Sequence, residues 1–331
     1  MYKYFLIRLI LKVTTLFLIT IFIYFAFASD TKTQIKTKKI AYLVSDIQIP
    51  FWNILAKGIQ NNGTNLGYTI EIYSADNTKQ KELINTIQAI EENVDGIIVS
   101  PINSSTCVTI LKLAKKNDIP VVIADIGTDS GEYISYISSN NFDGGYQIGK
   151  ILTKKMYELN FEDGSVGIVS IPQKRANGKA RTKGFIKALN EAKIKGAGIR
   201  QQVNFSYLET YKHSINLIEE NKDLKAIWLQ GSDKYLGALN AIIDKNKFGD
   251  ILLITFDAEP IFLELIPRDI LVGAGMQQPF LMGEYAIKML DKHLNGQFVE
   301  KNIELPILAI SKENIKQKLP FIKRNVLGLS K

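Results

Sequence analysis

The side chains best suited to chemistry in this sequence stand where an apolar run has just ended. Asp125 directly follows the run at 120–124, and Asp257 comes just after the one at 251–255. A carboxylate buried at such a point is costly unless backbone donors or a bound molecule hydrogen-bond to it. For Asp257, capping the following helix is an equal alternative. Upstream, Ser45-Asp46-Ile47-Gln48-Ile49-Pro50-Phe51-Trp52 sets two adjacent aromatics just past a proline. Either both rings face the loop mouth or one of them plugs the core. Ser100-Pro101-Ile102-Asn103 and Met276-Gln277-Gln278-Pro279 follow other apolar runs. These loops make Ser45, Ser100 and Gln277 candidate contacts beside Phe51, Trp52, Asp125, Phe256 and Asp257. Flat aromatic walls with carboxylates and amides suit a ring that has an apolar C–H face and a rim of hydroxyls, as a sugar does.

Other chemistries lack their residues. Only His213 and His293 are present, with no metal-ligand spacing around them. There is no Gly-x-Ser-x-Gly elbow and no phosphate-cradling glycine loop. Glu91-Glu92 and Glu219-Glu220, the pairs that could suggest glycoside cleavage, fall at helix ends as solvated charges would. The chain therefore reads as a binding protein, not an enzyme, with no cofactor. Cys107 is the single cysteine, which rules out an internal disulfide and suits a small buried apolar residue.

The elements that must position these loops follow one alternating pattern. Strands are expected at 40–44, 69–74, 96–99, 120–124 and 133–137, separated by helices at 53–66, 79–92 and 104–116. The alternation restarts with a helix at 144–158 and strand 166–170, then helix 179–192 and strand 198–203. It continues through helix 208–220, strand 226–229, helix 234–245, strands 251–255 and 271–274, and helix 279–294. Such alternation implies α/β architecture with parallel sheets covered by helices, and 331 residues favour two lobes over one. A closed eight-stranded barrel shares this period and is not separated from two lobes by it.

The first 28 residues belong to another purpose. Lys3, Arg8 and Lys12 precede the apolar run 13–28, which ends in Ala26-Phe27-Ala28. That is the layout of a signal peptide cleaved after Ala28; an uncleaved membrane anchor is the alternative. Residues 29–38, rich in Thr and Lys, are expected to be a flexible leader. Three of the eight excess positive charges lie in the export segment. The remaining excess is spread along the chain and gives no footprint for nucleic acid.

The order of the motifs resembles a known family, the periplasmic sugar-binding proteins of the ribose-binding type, related in fold to the effector lobes of lactose-repressor-like regulators. The resemblance runs from Lys39 to Leu305. Its carriers include Leu43-Val44-Ser45 with Pro50-Phe51-Trp52, Asp95-Gly96-Ile97-Ile98-Val99-Ser100-Pro101, and Ile119-Pro120-Val121-Val122 leading to Asp125. Ser139-Asn140-Asn141 with Gly144-Gly145, Arg181-Thr182-Lys183-Gly184-Phe185, Leu236-Gly237-Ala238-Leu239, Phe256-Asp257 and Gln277-Gln278-Pro279 continue it.

The resemblance implies two similar doubly wound parallel-sheet lobes joined by a hinge of three chain crossings, near Asn140, Gln277 and Leu305. The first lobe would comprise 39–139 plus 278–305, and the second 140–277 plus 306–331. The family's stacking pair falls on Phe51 and Trp52, its carboxylate on Asp125, and its second aromatic wall on Phe205. The late aromatic-acid pair falls on Phe256 and Asp257, and the hinge amide on Gln277. A ligand-facing arginine corresponds to Lys179, with the neighbouring Arg181 retained. Ile49, Ile126 and Gly231 replace polar family residues, which argues against a ribose pattern of hydroxyls; Asp46, Gln48 and Ser232 are the candidate replacements. Implied partners are a small sugar-like molecule and either importer permease subunits or a membrane sensor that detects a sugar or furanone. The protein would act in the periplasm as a monomer.

Overall fold

The computed structural model describes residues 1–28 and 37–329, in two separate bodies, Met1–Thr37 and Lys38–Lys331. The first body is helix α1, Tyr2–Ala28. Its stretch Tyr2–Ile21 is long and apolar enough to cross a membrane, and none of it is buried within the protein. Most of the expected leader, 29–36, lies outside the described residues.

The second body holds two open sheets of six strands, which disposes of the closed barrel. In the first, β1 (Lys39–Val44), β2 (Thr69–Ser74), β3 (Gly96–Ser100), β4 (Val121–Ala124), β5 (Ser135–Ser139) and the late strand β11 (Asn302–Leu305) lie in the order β2-β1-β3-β4-β5-β11. The second contains β6 (Ser165–Ser170), β7 (Lys195–Gln201), β8 (Leu224–Leu229), β9 (Leu252–Phe256), β10 (Gly273–Met276) and β12 (Leu308–Ser311), in the order β7-β6-β8-β9-β10-β12. All pairings are parallel except that of β12 with β10. Here β5 and β10 begin two residues later than the apolar pattern suggests, and β11 and β12 are edge strands too short to have given a period.

Between these strands run α2 (Pro50–Asn65), α3 (Lys79–Glu91), α4 (Ser104–Lys116), α5 (Asn141–Glu158), α6 (Ala176–Glu191), α7 (Tyr207–Glu220), α8 (Tyr235–Asp244), the short α9 (Phe262–Leu265) and α10 (Pro279–Leu294). A last helix, α11 (Ile315–Phe321), ends in a π-turn at Ile322–Val326. The chain passes between the sheets at β5–α5, at β10–α10 and at β11–β12.

Helices cover both faces of each sheet, and the strands show it in their burial. Along β1, Ile40, Tyr42 and Val44 join one apolar cluster, while Ala41 and Leu43 join another. Along β8, Ile227 and Leu229 separate likewise from Ala226 and Trp228. Burial on both faces is why these strands read as continuous apolar runs rather than as alternation. In the second lobe, α5 and α6 cross at glycines: a Cβ on Gly145 would strike the Arg181 carbonyl, and one on Gly184 the Phe142 carbonyl. Without side chains there, the helices approach to backbone contact, and this close crossing fixes the helix that carries Arg181.

Candidate functional site

The carboxyl ends of both sheets face one cavity of about 60 Å³. In open α/β sheets this is where ligands bind, because the loops there are free to carry polar groups while the strands carry the core. Its wall takes Ile49 through Trp52 and Asp125 from the first lobe; Arg175, Asn177, Arg181, Phe205, Asp257 and Gln277 come from the second and its junction.

Asp125 and Asp257 occupy equivalent places in the two sheets. Each ends a central strand in the left-handed region, at φ 68° and 66° respectively. Aspartate tolerates this conformation better than most residues. Each donates its N–H to the next strand, Asp125 to the Ile137 carbonyl at 2.9 Å and Asp257 to the Gly275 carbonyl at 2.8 Å. The bent exit throws the carboxylate off the sheet and into the cavity. Asp257 caps no helix, since α9 opens only at Phe262 and draws no side-chain cap.

The carboxylates are held mainly by groups of the second lobe. Asn177 donates to Asp125 Oδ1 at 3.3 Å. Gln277 Nε2 donates to Asp257 Oδ1 at 2.7 Å, and Arg181 Nη1 stands 3.7 Å from Asp257 Oδ2. Burial pushes the Asp125 carboxyl up to about 6, with Arg181 opposing. Asp257 is also raised by burial, against the same guanidinium. Arg181 itself is buried; it donates through Nε to Asn141 Oδ1 at 2.8 Å and lies 4.0 Å from the Phe256 ring centroid.

Aromatic rings form the walls. Phe51 and Trp52 meet edge to face at 6.3 Å, and Trp52 also belongs to the first-lobe core, so this one residue serves both readings left open for the pair. Phe205, at φ 50°, faces them from the other lobe. On this wall Oε1 of Gln277, an acceptor, is buried without a partner, and the indole Nε1 of Trp52, a donor, makes no hydrogen bond of good geometry, although it lies near enough to the Asp125 carboxylate to oppose the rise of its pKa.

Of the residues singled out from sequence, Phe51, Trp52, Asp125, Arg181, Phe205, Gly231, Asp257 and Gln277 line the cavity, with Ser232. A Cβ on Gly231 would meet nothing nearer than the Asp233 carboxylate at 3.7 Å, so its contribution is room. Four others stand elsewhere. Ser45 is fully buried, with Oγ 3.4 Å from Asn77 Oδ1. Ser100 accepts the Tyr42 hydroxyl at 3.0 Å. Phe256 is core, beneath Arg181. Lys179 points outward, because residues two apart on a helix lie about 200° apart and Arg181 takes the inner face. Asp46 and Gln48 also lie outside the wall; Asp46 Oδ1 accepts the Gln48 N–H at 3.0 Å.

Sequence reasoning missed Arg175, Asn177, Gln202 and Gln230, all lining residues of the second lobe. Gln202 and Gln230 follow the ends of β7 and β8, so the rule that located Asp125 would have found them. Arg175 and Asn177 were hidden because α6 starts at Ala176, three residues before the expected helix. Among the described residues, no three His, Cys, Asp or Glu side chains come together as metal ligands.

Residues 40–298 match the model of the periplasmic binding protein domain. The ribose import binding protein of Haemophilus influenzae is 27% identical over 272 residues, which cover 82% of this chain and 91% of that protein. The D-allose-binding periplasmic protein of Escherichia coli is 22% identical over 271 residues, covering 78% and 86%. A carbohydrate transporter solute binding protein from Agrobacterium radiobacter, solved in complex with D-arabinose, superposes with a TM-score of 0.81 at 20% identity, covering 88% of this chain and 100% of that one. With most of its length matched to the family and its two sheets meeting at a common cavity, the chain belongs to the periplasmic binding protein family.

Proposed function

We propose that this protein captures one small, uncharged, hydroxyl-bearing ring, a monosaccharide or cyclic polyol, between its lobes and delivers it to an importer in the membrane. The observation that carries the reading is a pair of buried atoms, Gln277 Oε1 with no partner and Trp52 Nε1 with only a poorly placed one in the Asp125 carboxylate, in a wall that also carries three aromatic rings. One needs an acceptor and the other a donor, and a hydroxyl is both. Arg175 and Arg181 stand against Asp125, Asp233 and Asp257 in the same wall, so a ligand with a strong charge of either sign would be poorly compensated. A cavity of about 60 Å³ is too small for a chain of rings.

On this reading the lobes, bounded at 39–139 with 278–305 and at 140–277 with 306–331, close by bending at the three crossings, and no bond is made or broken. Residues 1–28 direct export to the periplasm, with cleavage after Ala28, and the mature protein works as a monomer. The relatives' names as ribose import and D-allose-binding periplasmic proteins support import. Isothermal titration of protein refolded free of bound molecules, against D-ribose, D-allose, D-arabinose and myo-inositol, tests the reading. Saturable binding of at least one supports it, and silence across the panel refutes it.

A further inference from the structure

Arg175 is the residue whose surroundings the site described so far leaves unexplained. It sits just before α6, in the second lobe, yet its bonds go to the first. Its Nε donates to the Ile102 carbonyl at 3.1 Å, and Nη2 lies 3.4 Å from Asn77 Oδ1. The guanidinium is held between two rings, 5.1 Å from the centroid of Phe205 in its own lobe and 5.4 Å from that of Trp52 in the other. Its landing place is rigid. The Ile102 N–H is taken by Glu82 Oε1 at 2.7 Å, and Asn103 next to it caps α4 with a complete capping box. Glu82 and Arg175, both buried, are thus opposite charges tied to the two backbone groups of one residue.

A guanidinium has five N–H groups. Two are bonded here, and the remaining three belong to a side chain that is 6% exposed and lines the cavity. No nitrogen of Arg175 is among the buried atoms without a partner, so these donors open onto the cavity, which points to an acceptor oxygen on whatever fills the space. In the first lobe the residue after Asp125 is Ile126, fully buried and unable to donate from its side chain.

We propose that Arg175 is a ligand-recognising clamp: it locks the closed lobes together through Ile102 and Asn77 and turns its remaining N–H groups onto an acceptor oxygen of the bound ring. The group exists as a recognition element only when the lobes are shut, so recognition and closure are one event. This rests on the interlobe reading above but is tested apart from it.

Spin labels at Lys116→Cys and Lys247→Cys, one on each lobe, report the interlobe distance by pulsed electron resonance without any sugar; Cys107 is buried and takes no label. Arg175→Ala is expected to move the distribution to longer distances. Arg175→Lys keeps the charge but loses the planar fork, and is expected to follow Ala rather than wild type. For whichever of D-ribose, D-allose, D-arabinose or myo-inositol the wild type binds, both variants should lose at least about tenfold in affinity. Distributions that superimpose on wild type, or unchanged affinity in Arg175→Ala, overturn the clamp. Should the wild type bind none of the four, the sugar reading falls while the distances still decide the clamp.

Discussion

Replacing Asp125 by Asn should make the empty protein more stable near neutral pH while weakening its binding. The carboxyl is 3% exposed and raised from 3.8 to about 6, chiefly by burial. In the unfolded chain the group regains its ordinary value, so between those two pH values the folded protein holds a proton that the unfolded chain has released. Stability from this group is therefore fully present below about 3.8 and is lost as pH rises through about 6. At about 1.4 kcal/mol for each pH unit between the two values, the loss amounts to about 3 kcal/mol. An amide does not titrate, keeps the shape, and still accepts from Asn177. Melting curves of ligand-free wild type and Asp125→Asn should nearly coincide at about pH 4 and diverge by roughly 6 °C at about pH 8, with the variant higher. Glu259, whose carboxyl is also raised by burial, titrates in both proteins and cancels in the difference, whereas the charge on Asp257 is one of the causes that raise Asp125 and so acts within the difference itself. Curves that run parallel across the whole range would refute the reasoning, because the buried charge would then cost nothing.

Trp52→Phe keeps an aromatic wall but removes the N–H together with part of the buried indole; titration with the best-bound sugar should show a loss of at least about 1 kcal/mol, and an unchanged Kd would take the indole nitrogen out of recognition. Lys179→Ala should leave affinity within about 0.5 kcal/mol of wild type, since the side chain faces solvent on the outer side of α6. Gly184→Ala sets a methyl against the Phe142 carbonyl, so the α5–α6 crossing must open. Denaturant unfolding should show a loss of about 1 to 3 kcal/mol, and binding should weaken with it because Arg181 rides on the same helix.

The central strands were legible in the sequence because they are buried on both faces, which turns β1, β3, β4, β8 and β9 into apolar runs that end where the loop begins, whereas the edge strand β7 is partly exposed and starts three residues before the expected one. The same property exposed Asp125 and Asp257, each the first charge after such a run. The start of α6 carried no such mark: Arg175-Ala176-Asn177-Gly178 has no large apolar residue, so the two cross-cleft groups read as solvated loop. Lys179 was placed in the site by resemblance, but at 100° per residue only one of Lys179 and Arg181 can face inward. Ser45 and Ser100 follow strands as expected, yet their hydroxyls turn to Asn77 and Tyr42 within the first lobe. That choice depends on side chains distant in sequence and leaves no local trace.

The first sheet cannot finish its own coat. Helix α10 packs against α2, with Gly283 so near the Leu55 carbonyl that a Cβ there would clash, although more than two hundred residues separate the two in the chain. A chain emerging from its amino end through a narrow pore thus presents an apolar face of β1, β3 and β4 that stays uncovered until residue 294 is out, whereas β6 to β10 and their helices emerge as one uninterrupted stretch. The second sheet waits too, because its core takes Ile310, Ile315, Ile322 and Val326 from beyond that point, so both lobes keep apolar surface open until the last segments have emerged.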